Sequence, residues 1–314
     1  MLISIAIPCY RSEKTIRFVV EEIKQEFLLH PEHSYNIILV NDGSPDNTLG
    51  VIKQLSEENG NITGVDLSRN FGQNAAKMAA LPYVKGDVLV YMDDDGQHPA
   101  SGIFVLLDKL LEGYDMVYAQ FSHKKHNAFK RFTSAIKNRV AIFMGNKPKG
   151  IALSSFYIMD KVLIKALQKY ESPFPASGSF TMQITSSIAN APVLHRARRE
   201  GKSNYSFKRL WRLWLTSVTN FTIVPLRIAS ILGMICAVIG FGVGTVMVIR
   251  KIINPSIQAG YTSMIATLLF IGGLIMIMLG TLGEYIGRMF MTISGKPQYI
   301  VRRVYGEEQN TDKD

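Results

Sequence analysis

The sequence predicts an α/β fold in which a mostly parallel, doubly wound sheet domain is followed by two transmembrane helices. In the first part of the chain, apolar segments typical of buried strands alternate with segments that have helical periodicity. Two long uncharged stretches follow near the C-terminus. Carboxylates come directly after two of the predicted strands, and sheets of this kind bind ligands at the carboxyl ends of their strands.

Five strands and four helices are predicted up to residue 121. In the first helix, Ile16, Val19 and Ile23 recur at the spacing of one helical face, and Phe27 continues this stripe. In the fourth helix we expect the apolar residues, including Leu111, to face the core. The predicted strands are 2–8, 35–41, 62–68, 87–92 and 116–121, and the helices after the first are 46–58, 72–84 and 100–113.

The composition excludes several classes of protein. The chain has 314 residues, of which 47% are hydrophobic and 19% are charged, and its formal net charge is +10. A disordered chain would need low hydrophobicity and high charge. A disulfide scaffold would need more than the two cysteines that are present. A globular protein with an apolar region is therefore expected.

Residues 228–249 and 261–283 contain no charged side chain, and each stretch is long enough to cross a bilayer. The alternative is a pair of buried core helices. Basic residues flank the two stretches on their outer sides, whereas the connecting loop at 250–260 carries only Arg250 and Lys251. The positive-inside rule then predicts a protein of the cytoplasmic membrane with the sheet domain and both termini in the cytoplasm.

Two further segments are expected at the membrane surface. Residues 124–149 are basic and contain no acidic side chain, which suits an anionic headgroup layer, although a helix with a solvated basic face remains the alternative. Nucleic-acid binding is disfavoured, because a membrane already supplies an anionic surface. Residues 207–227 carry Trp211 and Trp214, which favours an amphipathic helix at the interface. Residues 284–314 are predicted to form a cytoplasmic tail.

Oxygen-bearing side chains cluster after two predicted strands. Asp42 follows the second strand, and a run of three aspartates and Gln97 follows the fourth. Alternate residues of an extended chain point the same way, so Asp93, Asp95 and Gln97 can converge on one cation. Carboxylate and amide oxygens suit Mg²⁺ or Mn²⁺.

Four segments in this order resemble the family 2 glycosyltransferases of GT-A fold, and among these the polyprenyl-phosphate hexose transferases. The resemblance extends over most of the chain, including SSFYIMDK at 154–161, the R-x-x-G-x-S-x-Y run at 198–205 and the two apolar stretches. It implies that residues 1–206 form the GT-A domain. The four segments are IPCYRSE at 7–13, VNDGSPDNT at 40–48, LSRNFG at 67–72 and MDDDGQHP at 92–99.

The resemblance implies a role for each motif in holding a nucleotide sugar. Asp42 would accept a hydrogen bond from the base, and the cation held by the aspartate motif would bridge the diphosphate. The chain carries Ser-Ser-Phe at 154–156 where many relatives carry a Gly-Asp-Phe-Arg type of segment, which leaves the sugar open. The implied donor-binding residues are Pro8, Tyr10, Glu13, Asp42, Arg69 and Asp94, and the implied metal ligands are Asp93, Asp95 and Gln97.

The resemblance also implies the reaction. A lipid phosphate is ionised at neutral pH, so catalysis depends on neutralising the leaving diphosphate and on holding the acceptor with arginine forks. One in-line displacement would invert the anomeric carbon. The expected donor is a UDP-hexose, with UDP-glucose the first choice, and relatives suggest a homo-oligomer. The residues expected to act on the acceptor phosphate are Arg131, Arg198, Arg199 and Ser203, with Arg131, Arg198, Asp93 and Asp95 as the catalytic set.

Two other functions remain possible from the sequence. A processive polysaccharide synthase shares the GT-A core, but it would carry a Q-x-x-R-W motif and more spans, neither of which this chain has. A non-catalytic membrane anchor subunit would not need the intact set of aspartates. A monomeric product would exclude the synthase, and cation-dependent binding of a nucleotide sugar would exclude the anchor.

Overall fold

The computed structural model describes residues 1–121, 150–175, 181, 184–194, 224–254 and 260–306. The chain divides into two compact units. One consists of Met1–Asn204 with Lys296–Asp314, and the other is Tyr205–Gly295. The first unit contains the sheet and the second contains a pair of long helices.

The sheet of the first unit has eight strands in the order β7-β5-β6-β4-β1-β2-β3-β8. Five α-helices accompany it in the part of the unit that the structure describes. The strands are β1 (Leu2–Cys9), β2 (Ser34–Asn41), β3 (Ile62–Leu67), β4 (Val88–Tyr91), β5 (Met116–Phe121), β6 (Tyr157–Met159), β7 (Ile188–Val193) and β8 (Val301–Tyr305), and the helices are α1 (Ile16–Leu28), α2 (Thr48–Glu58), α3 (Gln73–Ala80), α4 (Gly102–Leu111) and α5 (Lys161–Gln168).

The centre of the sheet is parallel and its flanks are mixed. Strands β4, β1, β2 and β3 pair in parallel, as does β5 with β7. Strand β6 is antiparallel to both β4 and β5, and β8 is antiparallel to β3. The predicted α/β sheet domain is confirmed, and the antiparallel strands β6 and β8 make the sheet more mixed than the mostly parallel sheet that was predicted. Because β6 runs in the opposite direction, its first residues lie at the same edge as the last residues of β4.

Helices cover both faces of the sheet because successive residues of β1 point to opposite sides. Ile3, Ile5 and Ile7 belong to an apolar cluster with α1, α2 and α4. Ala6 belongs to a second cluster with α3 and α5. The doubly wound arrangement therefore follows from the nearly continuous apolar sequence of a central parallel strand.

Two details of the helices differ from the sequence prediction. The third helix was expected over 72–84, but α3 ends at Ala80 and a 3₁₀ turn follows at Leu81–Tyr83. Pro82 lies in this turn and has no N–H to continue an α-helix. The prediction that Leu111 is buried is wrong, since its side chain is 60% exposed at the last residue of α4.

The last strand, β8, was not expected, because its residues were assigned to the tail at 284–314. The Ser68 N–H donates to the Ile300 carbonyl at 2.9 Å, and an Arg302 Nη donates to the Ser68 carbonyl at 2.8 Å. Val301 packs against the apolar cluster that contains α3. Residues 301–305 thus close the β3 edge of the sheet.

In its described residues, 224–254 and 260–295, the second unit contains two helices, α6 (Val224–Ile253) and α7 (Tyr261–Ile293). Within the described part of the chain, Phe270–Ile293 is the one helical segment long and apolar enough to cross a membrane; it has 24 residues, and its mean hydropathy is 1.6 in an 18-residue window. This segment extends past the predicted end at residue 283, and an Arg288 Nη lies 2.6 Å from Glu284 Oε1 one helical turn earlier. A shorter apolar stretch, Gly233–Gly242, lies in α6.

Candidate active site

The candidate site lies at the carboxyl edge of the parallel strands. The turns after β1, β2, β3 and β4 meet here, and the residues that lead into the antiparallel β6 reach the same edge. Hydrogen bonds between side chains and backbone connect these segments. The motifs that were widely separated in the sequence therefore form one connected surface.

Asp93 is held by side chains from two other elements. Gln73 Nε2, in the first turn of α3, donates to Asp93 Oδ1 at 2.7 Å. Ser155 Oγ, just before β6, donates to Asp93 Oδ2 at 2.6 Å. The Asp93 N–H donates to Nδ1 of the buried His98 at 3.0 Å, and the His98 ring stacks on Phe156 with centroids 4.9 Å apart. The orientation of the carboxylate is therefore fixed by neutral donors that leave lone pairs on both oxygens.

Asp94 connects the aspartate motif to the turn after β1. Its Oδ2 accepts hydrogen bonds from the Tyr10 N–H at 3.1 Å and from Ser12 Oγ. Burial raises the pKa of Asp94 to about 6, and the nearby charge of Asp93 adds to this shift, while the Ser12 and Tyr10 hydrogen bonds oppose it. Asp94 fixes the backbone at Tyr10, which is one of the expected donor-binding residues.

Asp95 and Gln97 lie in a turn rather than in extended chain. Strand β4 ends at Tyr91, and the backbone turns through Gly96, which has φ +72°. Asp95 Oδ1 accepts from the Gln97 N–H at 3.1 Å. The extended geometry from which we expected Asp93, Asp95 and Gln97 to converge is therefore wrong. Within the described residues, no group of three or more His, Cys, Asp or Glu side chains is arranged to hold a metal.

Asp42 is buried and anchors the turn after β3. Its two carboxylate oxygens accept from the Phe71 N–H at 2.7 Å and from the Gly72 N–H at 2.9 Å. Asn70 Nδ2 donates to the Asp42 carbonyl at 3.1 Å. Burial raises the pKa of Asp42, and the two N–H donors oppose that shift. Asp42 thus fixes the start of α3, and with it the position of Gln73.

The other expected donor-binding residues line the same edge. Tyr10 is 45% exposed, whereas Pro8 is buried within β1. Glu13 Oε2 accepts from the Asn47 N–H at 3.0 Å, which ties the start of α1 to the turn after β2. The Arg69 guanidinium lies 4.3 Å from the centre of the Phe71 ring. Of these, the exposed Tyr10 ring and the exposed Arg69 guanidinium offer surfaces for stacking a base.

Three residues of the site were not predicted as site residues, namely Gln73, Lys77 and Ser155, although the segment 154–156 was noted for its departure from relatives. Gln73 and Lys77 are one helical turn apart on α3, and the Lys77 ammonium lies 3.3 Å from the Ser155 carbonyl. The sequence signal that could have found Lys77 was a single lysine among small and apolar residues in AAKMAA at 75–80, and the structure buries all six of these residues. Arg131, Arg198, Arg199 and Ser203, expected at the acceptor phosphate, all lie outside the described residues.

At Gly43 the turn after β2 packs closely against the backbone of residues 69–70, and we expect Gly43→Ala to destabilise the protein. Its φ is +58°, and an added Cβ would lie 2.5 Å from both Arg69 C and Asn70 N. The left-handed backbone costs an alanine about 1–2 kcal/mol, and displacement of the neighbouring chain adds about 1–3 kcal/mol. Thermal unfolding of the two variants Gly43→Ala and Gly113→Ala measures the difference.

Gly113 is the matched control, because it has φ +103° and no atom within 4 Å of an added Cβ. Gly113→Ala should therefore show only the cost of the backbone conformation. Equal losses of melting temperature in the two variants would contradict the close packing of Gly43 on residues 69–70.

The chain belongs to Glycosyl transferase family 2, whose model matches residues 4–187, so the protein is a glycosyltransferase. This range includes every described element of the site. A second model, the GtrB C-terminal hairpin, matches residues 224–289, which are α6 and most of α7. With the apolar length of α7, this match identifies the hairpin as a membrane anchor.

Relatives of similar length cover nearly the whole chain. A prophage bactoprenol glucosyl transferase homolog of Escherichia coli (strain K12) is 29% identical over 97% of this chain and 99% of its own length. An undecaprenyl-phosphate 4-deoxy-4-formamido-L-arabinose transferase of Klebsiella pneumoniae (strain 342) is 31% identical over 89% of this chain and 86% of its own. These matches confirm the resemblance drawn from the four motifs.

Solved structures are more distant. Glucosyl-3-phosphoglycerate synthase from Mycobacterium tuberculosis, in complex with Mn²⁺, UDP-glucose and phosphoglyceric acid, aligns with a TM-score of 0.49 and 20% identity, covering 67% of this chain and 74% of that one.

Proposed function

We propose that the protein is an inverting hexosyltransferase that moves a sugar, with glucose favoured, from a UDP-sugar to polyprenyl phosphate at the cytoplasmic face of the membrane. The observation that carries the proposal is that Asp42, Asp93 and Asp95 lie at one edge of the sheet. The chain around them belongs to family 2 and also has a membrane hairpin. The named activities of the full-length relatives, which act on bactoprenol or undecaprenyl phosphate, support the choice of acceptor.

The donor set at the sheet edge fits Mg²⁺ or Mn²⁺. Mg²⁺ sites commonly use one or two carboxylates together with substrate phosphates, so two aspartates and an amide suffice once a diphosphate is bound. Asp93, Asp95 and Gln97 would hold the ion. When bound, the ion supplies positive charge that neutralises the leaving diphosphate.

The chain's own residues would bind and orient the nucleotide and the acceptor phosphate. Tyr10 and Arg69 offer exposed surfaces for the nucleotide, and the Asp42 oxygens keep second lone pairs for the base. The acceptor phosphate is already ionised, so the lipid oxygen needs no strong general base. Most of the rate enhancement would come from holding the acceptor oxygen in line with the leaving diphosphate.

The test is to incubate the full-length protein in membranes with undecaprenyl phosphate and a panel of nucleotide sugars, and to determine the mass of the lipid product. We expect one added hexose, with UDP-glucose the preferred donor. A polymeric product would favour the processive synthase, and failure of every donor would favour the non-catalytic anchor. An amino hexose as the preferred sugar would overturn the choice of glucose alone, and a pentose would overturn the choice of a hexose as well.

We expect Arg198→Ala to weaken use of the acceptor more than binding of the donor. The residue lies in the R-x-x-G-x-S-x-Y run at 198–205, where a lipid phosphate would reach the membrane surface. A lost hydrogen bond to a charged group costs about 1.5–3 kcal/mol, or roughly ten- to hundredfold in the apparent affinity for polyprenyl phosphate. Separate titrations of the lipid and of the nucleotide sugar measure the two effects.

Arg198→Lys is the matched control, since it keeps the charge without the planar fork and should recover only part of the loss. A variant with weakened donor binding and normal acceptor kinetics would assign Arg198 to the donor site instead.

We also propose that both apolar helices cross the membrane and that both termini are cytoplasmic. The basic flanks of the two stretches support this orientation. A C-terminal reporter that is active only in the cytoplasm is the expected result, and activity only on the outer side would refute the topology.

A further inference from the structure

Lys77 is a buried lysine beside the candidate site. It lies on α3, and only 4% of its surface is exposed. Its ammonium is 3.3 Å from the Ser155 carbonyl oxygen, and it lies 4.7 Å and 5.2 Å from the ring centres of Tyr157 and Tyr91. An ammonium can donate three hydrogen bonds, and among the described residues the Ser155 carbonyl is the one acceptor within reach.

Burial of the Lys77 ammonium destabilises the folded protein, so stability does not explain why a lysine is present at this position. Burying a charge with one hydrogen bond and two ring faces compensates little of its lost hydration. Burial lowers the pKa of Lys77 to about 8, although the negative charge of Asp93 opposes the shift. An apolar side chain of similar length would fill the same space among the two tyrosines without this penalty.

The contacts of Ser155 connect Lys77 to the aspartate motif. The carbonyl of Ser155 accepts from Lys77, while its hydroxyl donates to Asp93 Oδ2 at 2.6 Å. The other oxygen of Asp93 accepts from Gln73, which lies one helical turn before Lys77 on α3. Both donors to Asp93 are therefore connected through α3 and the chain that leads into β6.

We propose that Lys77 is a positioning residue that fixes the segment before β6 against α3, so that Ser155 and Gln73 hold the Asp93 carboxylate in the orientation that binds the cation. This inference rests on the proposed role of Asp93 as a metal ligand. Residues that hold a ligand in place commonly change metal affinity by ten- to hundredfold when they are removed.

The test measures Mn²⁺ binding to the full-length protein in detergent micelles with UDP present, by following the electron paramagnetic resonance signal of free Mn²⁺. The variants are Lys77→Met, Ser155→Ala and Ser155→Thr. The control is Lys161→Met, which changes a lysine whose side chain is 58% exposed and lies 3.3 Å from Asp87. Melting temperature and UDP binding without metal are measured on the same samples.

We expect Lys77→Met and Ser155→Ala to raise the Mn²⁺ dissociation constant by about ten- to hundredfold. Lys77→Met should melt no lower than the wild type, because it removes a buried charge. Ser155→Thr keeps the hydroxyl and should stay near the wild type, as should Lys161→Met. The double variant that combines Lys77→Met with Ser155→Ala should have about the same Mn²⁺ dissociation constant as the single variant that binds Mn²⁺ more weakly. The two effects should not add, because both substitutions act through Asp93.

Unchanged Mn²⁺ binding by Lys77→Met would overturn the inference while leaving the proposed function intact. A lower melting temperature that accompanies the weaker binding would also overturn it, because the lysine would then be structural. Weaker UDP binding without metal would overturn it as well, because Lys77 would then contact the donor. A wild-type protein that binds no Mn²⁺ would overturn the metal site itself, and the inference with it.

Discussion

Asp95→Asn is expected to reduce sugar transfer by about a hundredfold or more while the protein stays folded. Asp95 Oδ1 accepts a hydrogen bond from the Gln97 N–H, and the amide oxygen of asparagine can accept the same bond, so the turn is preserved. The variant loses the negative charge that would hold a cation on the leaving diphosphate. Removal of one key electrostatic group typically costs a factor of about 10²–10³ in turnover.

The measurement is the rate of lipid-linked sugar formation at saturating donor and acceptor, with melting temperature as the check on folding. Asp108→Asn is the matched control, because Asp108 is an exposed residue of α4. Near-normal turnover of folded Asp95→Asn protein would exclude Asp95 as a metal ligand. Recovery at high Mn²⁺ would instead support that role, since it would show that the ion binds more weakly.

Asp42→Ala is expected to reduce transfer by a similar factor, chiefly through donor binding. The carboxylate holds the Phe71 and Gly72 N–H groups, and its loss releases the turn that starts α3. Each lost hydrogen bond to a charged group costs about 1.5–3 kcal/mol. Burial raises the pKa of Asp42, so removing the buried charge offsets part of that cost in stability. The effect should therefore be larger on UDP affinity than on melting temperature.

Calorimetric titration of UDP and thermal unfolding separate these effects. Asp42→Asn keeps one acceptor oxygen and should lie between the wild type and Asp42→Ala. Asp87→Ala is the control, because Asp87 accepts a bond from the Leu2 N–H at the opposite edge of the sheet, and its side chain is 48% exposed. Normal UDP affinity in Asp42→Ala would show that neither the carboxylate nor the turn contributes to the donor site.

The sequence predicted the part of the fold in which local pattern and tertiary position agree. Strands β1 to β5 and helices α1, α2 and α4 have apolar patterns that match the faces they bury, so periodicity located them within a few residues. Strand β6 has three residues, which is too short for a periodic signal. Strand β8 carries Arg302 and Arg303 at a half-exposed edge, so its composition is typical of a solvated tail.

The aspartate motif was predictable because three adjacent carboxylates after a buried strand are rare without a ligand. The sequence did not show which other side chains orient these carboxylates. Ser155 and Lys77 are 78 residues apart in the chain and meet only because β6 inserts antiparallel beside β4. The extended geometry assumed for residues 93–97 was wrong because Gly96 permits a turn that no local apolar pattern records.

The pairing of β8 with β3 has a consequence for how the protein is made. Arg302 and Ser68, which join the two segments, are 234 residues apart, and the anchor hairpin lies between them. At about 5–20 residues per second, the ribosome needs roughly 10–50 s to deliver the partner of β3. Throughout that interval the sheet has an open edge that can pair with another chain, and the hairpin itself is made only in the last part of it. Nascent chains that stall before β8 is made would thus keep this edge open and be prone to aggregate.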